Sequence, residues 1–82
     1  METNDAAVTA AINQNILLGI LSKGTSKNAT AAKAGIPLST FNRKINNTGD
    51  FSLRELGQIA TALDRELADI LPIELIQSRD AA

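Results

Sequence analysis

"AAKAGIPLSTFNRKIN", residues 31–46, places a run of small side chains directly before a segment rich in hydroxyl, amide and basic side chains. Only Gly35, Ile36 and Pro37 separate the two halves. Small residues allow two helices to approach closely, and Gly accepts the left-handed backbone of a tight turn. The stretch therefore predicts two short, closely packed helices, of which the second carries most of the hydrogen-bonding side chains.

Periodicity and capping residues predict the first three helices. A first helix is expected over about residues 5–22, because apolar side chains recur there at four-residue spacing. These side chains are Val8, Ile12, Ile16 and Ile20. Ser26 is a candidate N-cap for a second helix that stops at Gly35, where we expect a positive φ and a crowded crossing of two helices. Pro37 fits the first turn of a third helix, from residue 38 to about residue 46.

The second half of the chain predicts two more helices and no strands. Residues 52–55, Ser-Leu-Arg-Glu, form a capping box that starts the fourth helix. Its apolar stripe is Leu53, Leu56, Ile59, Ala60 and Leu63. Asp64 is expected to cap a short fifth helix over residues 65–71, which Pro72 ends.

Composition narrows the class of protein. At 82 residues the chain is expected to form a single all-α domain over residues 1–82, with a C-terminal tail at about 73–82. Phe41 and Phe51 are its only aromatic residues, so we expect both in the core. The chain has no Cys and no His, which removes thiolate, imidazole and nearly all zinc chemistry. We therefore expect no enzyme activity, no metal, no cofactor and no small-molecule substrate.

The net charge of −1 hides a separation of the two signs along the chain. Residues 23–54 contain six Lys and Arg against one Asp, a net charge of +5, and the remainder contains two Arg against eight acids, a net charge of −6. Such a chain is typical of a basic binding face with an acidic, solubilising back, and chance scatter of the charges in a short chain is the alternative. The longest apolar run, residues 16–21, is far shorter than the roughly 20 residues of a membrane span. No charged leader precedes it, so we expect a cytoplasmic protein with no membrane partner.

The third helix is predicted to have two different faces. At 100° per residue, Leu38, Phe41 and Ile45 lie on one arc that faces the core. The opposite arc carries Ser39, Thr40, Arg43, Asn46 and Asn47, with Asn42 and Lys44 on its flanks. Nearly all of these side chains donate hydrogen bonds and none is a carboxylate. Two short helices with such an arc on the second are typical of a helix-turn-helix that enters the DNA major groove, although a plain solvated surface is the alternative.

The chain resembles the lambda-repressor-like, or Cro and C1 type, helix-turn-helix family, in particular the compact repressor and Cro proteins of bacteriophages. The resemblance covers about residues 27–71, with the motif at about 27–47. It rests on Ala31, Gly35, Ile36, Phe41 and Ile45, and on "FSLRELGQIATALD" followed by "ELADIL". Relatives often carry Gln at the position of Lys27, Ser or Thr at that of Pro37 and a polar residue at that of Leu38. Leu38 is expected either to pack inward or to meet a thymine methyl group. The resemblance implies a compact five-helix domain.

The resemblance also implies the function of individual residues. The expected contacts to DNA bases are Ser39, Thr40, Asn42 and Arg43, and the expected contacts to the DNA backbone are Lys27, Asn28, Lys44, Asn46 and Asn47. The implied protein is a sequence-specific regulator of transcription that occupies operator DNA and blocks polymerase, in a bacterial host cytoplasm if it is phage-encoded. The alternative is a small helical interaction module, adaptor or antitoxin-like, that uses the same arc on an acidic protein.

The C-terminal segment offers an apolar surface for a second copy. Ile73, Leu75 and Ile76 exceed what a short fifth helix needs for packing, and they lie outside the basic stretch. They predict a weak homodimer that forms chiefly on DNA, where two half-sites lie about one helical turn apart. Alternatively, the three side chains fold back on the first helix.

Overall fold

Five helices account for most of the residues that the structure, a computed structural model, describes: 5–46 and 49–72. In chain order they are α1 (Asp5–Lys23), α2 (Lys27–Ala34), α3 (Leu38–Ile45), α4 (Leu53–Ala62) and α5 (Leu67–Ile70). Within these residues no strand occurs, and the helices form a compact all-α globule. The prediction of five helices without strands is confirmed for this part of the chain. None of the helices described is long and apolar enough to cross a membrane.

The two turns that flank α2 are built as the sequence predicts. Ser26 caps its start, since its Oγ accepts a hydrogen bond from the Ala29 backbone N–H at 3.1 Å. Gly35 ends the helix with φ of 75°, and the Ile36 N–H donates to the Ala31 carbonyl at 3.0 Å, which closes a Schellman motif. The expected crowding at Gly35 is wrong, because nothing lies within 4 Å of a Cβ placed there. The backbone conformation alone therefore calls for glycine.

The start of α4 is confirmed, whereas the start of α5 differs from the prediction. Ser52 and Glu55 form both bonds of the capping box. Asp64 does not cap α5: it has φ of 57° and serves as the left-handed residue that ends α4. The Arg65 N–H closes that motif by donating to the Ala60 carbonyl at 2.8 Å. Because residues 63–66 are used in this way, α5 begins only at Leu67, with Glu66 as its N-cap.

The core lies between the five helices. It consists mainly of aliphatic side chains that surround one pair of aromatic rings. Its largest fully buried side chains are Phe41, Ile16, Ile59, Ile70 and Thr30. The Phe41 and Phe51 rings are tilted against each other with their centroids 5.6 Å apart. Two residues of the predicted apolar faces lie outside the core: Leu38 is 40% exposed, so the expectation that it packs inward is wrong, and Leu53 is 67% exposed. Each of these leucines is the first residue of its helix. The nearest core side chain of the same helix, Phe41 or Leu56, lies one turn further along, so the core ends before it reaches the leucine.

Polar side chains of α1 fix the other helices against it. Asn13 Nδ2 donates to the Lys44 carbonyl at 3.0 Å, and Asn15 Nδ2 donates to the Ile70 carbonyl at 2.7 Å. The Thr9 hydroxyl donates to Asp50 Oδ1 at 2.9 Å. These bonds join α1 to the ends of α3 and α5 and to the loop before α4. They hold α3 in a fixed position relative to the longest helix of the fold.

Candidate nucleic-acid interface

One side of α3 is anchored in the core, and this anchoring decides which side chains face solvent. Phe41 and Ile45 are 0% and 4% exposed, and Phe41 packs on Phe51. The Asn13 amide holds the last turn of α3 through the Lys44 carbonyl. Successive side chains of a helix are about 100° apart around its axis. The side chains of α3 on the side opposite Phe41 and Ile45 are therefore directed away from the core.

The side chains directed away from the core are mostly those predicted to contact DNA. Ser39, Asn42, Arg43 and Asn46 are exposed, and Thr40 is half-buried. The sequence of α3 includes no Asp or Glu, so the exposed face combines hydroxyl, amide and guanidinium groups. Asn47, which was predicted to contact the DNA backbone, lies outside the described residues. The face offers several hydrogen-bond donors on a single helix.

Arg43 lies over the turn that follows α3. A Cβ built on Gly49 would be 2.8 Å from Arg43 Nη1, so the guanidinium lies directly above the Gly49 backbone. Gly49 has φ of 147°, a conformation that favours glycine. Sequence reasoning did not connect Gly49 with Arg43. A glycine four residues after the end of α3 is the only signal the sequence gives of this contact.

Lys44 has a different environment from Arg43, the other cation of α3. Its Nζ donates to Glu55 Oε1 at 2.8 Å and lies 6.0 Å from the centroid of the Phe51 ring. Both side chains of the ion pair are partly buried. Hydrogen bonding from Lys44 is the largest effect and lowers the pKa of the Glu55 carboxyl below its ordinary value of 4.5; burial, the second-largest effect, opposes this, and hydrogen bonding with Ser52 lowers the pKa further. The ammonium predicted to contact the DNA backbone thus also joins α3 to the first turn of α4.

Further exposed cations lie on α2 and at the start of α4. Lys27 and Asn28 are exposed in the first turn of α2, as expected for the contacts predicted there. Lys33 and Arg54, also exposed, line a shallow groove between α2 and α4 together with Gln58 and Thr61. Sequence reasoning counted Lys33 and Arg54 in the basic stretch but gave neither a role. The fold brings them to one groove although 21 positions separate them in the chain.

The arrangement is suited to binding a polyanion that presents hydrogen-bonding edges. Donors lie on the exposed face of α3, and positive charges lie on α2 and at the start of α4. The Glu55 carboxylate near this region is neutralised by Lys44. The Asp50 carboxylate accepts a hydrogen bond from Thr9 on α1. Comparisons with family models, with curated proteins and with solved structures find no match to this chain.

Proposed function

We propose that the protein binds double-stranded DNA in a sequence-specific manner and regulates transcription, with α3 as the helix that enters the major groove. The observation that carries the proposal is the two-sided character of α3. Phe41 and Ile45 fix its inner side in the core, while its outer side exposes hydrogen-bond donors and no carboxylate. A helix held in this way is a rigid reading element, as the recognition helix of a helix-turn-helix must be.

The exposed donors of α3 match base edges of the major groove. Arg43 pairs with the O6 and N7 atoms of guanine, and Asn42 pairs with the N6 and N7 atoms of adenine. The hydroxyls of Ser39 and Thr40 suit either kind of base. To reach a base, the Arg43 guanidinium must leave the Gly49 backbone, which its long side chain permits. Leu38, partly exposed at the start of α3, is suited to a thymine methyl group.

Contacts to phosphates position the domain on the duplex without selecting the sequence. We assign Lys27, Asn28 and Asn46 to this role because they lie at the ends of α2 and α3, where side chains usually meet the DNA backbone. Lys33 and Arg54 add positive charge beside α2. Lys44 contributes mainly by holding the angle between α3 and α4 through Glu55.

The class of regulator that fits best is the phage repressor or Cro type, which occupies an operator and blocks polymerase. The support is the order of elements: α2, a glycine turn, α3 and a capped α4 that packs against α2. One recognition helix covers few base pairs, so we include in the proposal a pair of copies on two half-sites. Ile73, Leu75 and Ile76, the surface predicted for that pair, lie outside the described residues.

A titration with two DNA duplexes tests the proposal. The protein should bind a random duplex at low salt and lose most of that affinity as salt is raised, because phosphate contacts release counterions. A site selected from random DNA should bind more tightly and retain more affinity at high salt. If neither duplex binds at low salt while an acidic polypeptide does, the protein is an interaction module and the DNA proposal is wrong.

A further inference from the structure

The outward side of α1 is unusual for a helix surface. Between residues 6 and 22, α1 contains no charged residue, although 21% of the whole chain is charged. Two large apolar side chains on this side face solvent: Leu18 is 51% exposed and Leu21 is 76% exposed. The solvent face of a helix ordinarily carries charged and polar residues. An exposed face of this composition indicates that something covers it.

The exposed side chains of α1 follow a regular pattern around Gln14. Residues three, four and seven positions before Gln14 are all alanine: Ala11, Ala10 and Ala7. Residues three, four and seven positions after it are all leucine: Leu17, Leu18 and Leu21. These offsets lie on one face of a helix. Five of the seven side chains are exposed, whereas Ala11 and Leu17 are half-buried at the edge of this face and Leu17 also packs against the core of its own chain. We call this set the α1 seam.

We propose that the α1 seam packs against the α1 seam of a second copy of this chain, with the two helices antiparallel and a two-fold axis at Gln14. In that arrangement every leucine of one copy meets an alanine of the other, because the two halves of the seam exchange places about the axis. Small residues opposite large ones allow close packing without voids. The self-complementary pattern therefore selects a second copy as the partner.

The chemistry of the seam also favours the antiparallel pairing. The two Gln14 side chains meet at the axis, where each amide can both donate and accept a hydrogen bond, and a polar pair within an apolar seam favours one register of the paired helices. Antiparallel helices bring opposite ends of their macrodipoles together. The seam contains no charge, so pairing does not bury an ionised group. Arg65 and Asp69 lie beside Leu18 in a groove next to the seam, where they form a polar rim.

The size of the seam sets the strength of the dimer. It comprises seven residues per copy, fewer than the roughly 20–30 residues a side of a standard interface. We therefore expect a weak dimer whose population depends on protein concentration. The inference does not rest on DNA binding, since the free protein carries the seam. It also differs from the prediction of a dimer through Ile73, Leu75 and Ile76.

Sedimentation of the free protein over a range of concentrations tests the pairing. The wild type should pass from monomer to dimer as concentration rises, and Leu21→Glu should raise the dissociation constant at least about tenfold, because it buries a carboxylate. Leu53→Glu is the matched control, since Leu53 is a similarly exposed leucine on α4. A wild type that stays monomeric overturns the proposal. So does a dimer that survives Leu21→Glu or that is lost only in the double variant Ile73→Asp, Ile76→Asp.

Cysteine cross-linking tests the orientation, because the natural chain contains no Cys. We expect a mixture of Ala7→Cys and Leu21→Cys proteins to form the mixed disulfide in preference to either homodimer under mild oxidation. Gln14→Cys should form a disulfide with itself, and Thr61→Cys, exposed on α4, provides the rate of random collision. Preferred homodimers of Ala7→Cys and Leu21→Cys would indicate parallel helices, and cross-linking at the rate of Thr61→Cys would show that the seams do not meet. Either result overturns the proposal.

Discussion

Gly35 and Gly57 show how the same residue type has opposite effects at two positions of this fold. Gly35 has φ of 75° at the end of α2, and Gly57 lies inside α4. Neither position has an atom within 4 Å of a Cβ placed there. The difference between them is therefore one of backbone conformation alone.

The pair yields a stability prediction with an internal control. Gly35→Ala should lower the free energy of unfolding by about 1–2 kcal/mol, because alanine is strained in the left-handed conformation. Gly57→Ala should raise it by up to about 1 kcal/mol, because alanine is the better helix former. Urea unfolding of the two variants measures both changes. Shifts of the same sign would contradict the conformations assigned here.

Arg43 carries the prediction about base recognition. If it reads guanine, Arg43→Ala should cost roughly 1–3 kcal/mol on the selected site and much less on random DNA. Arg54→Ala is the control, because it removes the same charge from α4 instead of α3. The measurement is the affinity of each variant for the selected duplex and for the random duplex. An Arg43→Ala protein with its site preference intact would show that another residue selects the base.

At the level of elements, the ion pair of Lys44 and Glu55 connects the end of α3 with the capping box of α4. The pKa of Glu55 is lowered in the folded protein, first by its hydrogen bond from Lys44. A group with a lowered folded pKa stabilises the fold above its unfolded pKa, and that contribution is lost as pH falls through the folded value. The pair should therefore stabilise the protein at neutral pH and lose its effect in acid, starting near the ordinary Glu value of 4.5.

Glu55→Gln isolates this ion pair, because Gln retains the hydrogen-bonding pattern of a capping box. At pH 7 the variant should be less stable than the wild type by up to about 1 kcal/mol, the usual range for a pair that solvent still reaches. The difference should shrink as pH falls well below 4.5. Thermal unfolding of both proteins from pH 7 to pH 2 measures this difference in stability. If the difference in stability does not change with pH, the variant loses stability through altered packing and not through loss of the ion pair.

The elements that follow from the sequence are those with local signals. The turn at Gly35, the N-cap at Ser26 and the capping box at Ser52 each depend on a few neighbouring residues, and each is confirmed. Asp64 was misassigned because its left-handed conformation ends α4, where its carboxylate pairs with Lys23, 41 positions away. The bond from Lys44 to Glu55 likewise depends on how α3 meets α4. Local patterns predicted the helices, whereas contacts between helices required the structure.

Over the whole molecule, the separation of charge along the chain becomes a separation between elements. Most exposed cations of the described residues lie on α2, on α3 and at the start of α4, including Lys27, Lys33 and Arg54. Exposed acids concentrate at the junction of α4 and α5 and on α5 itself, at Asp64, Glu66 and Asp69, whereas Asp50 is exposed in the loop before α4. Lys23 at the end of α1 lowers the pKa of Asp64 below its ordinary value of 3.8 by hydrogen bonding, so one of these acids is paired with a cation. A net charge of −1 is therefore compatible with binding to DNA through the helices that carry the cations.

This distribution predicts how affinity for DNA depends on salt. Lys27→Ala should weaken binding about equally on random and selected duplexes, and it should flatten the plot of log affinity against log salt by about one unit, because one phosphate contact is lost. Arg65→Ala removes the same charge from the junction of α4 and α5, so its salt slope should match that of the wild type. Titrations at four or more salt concentrations give both slopes. If Arg65→Ala flattened the slope as much as Lys27→Ala, DNA would be responding to the total charge of the protein, and α2 and α3 would not be its binding face.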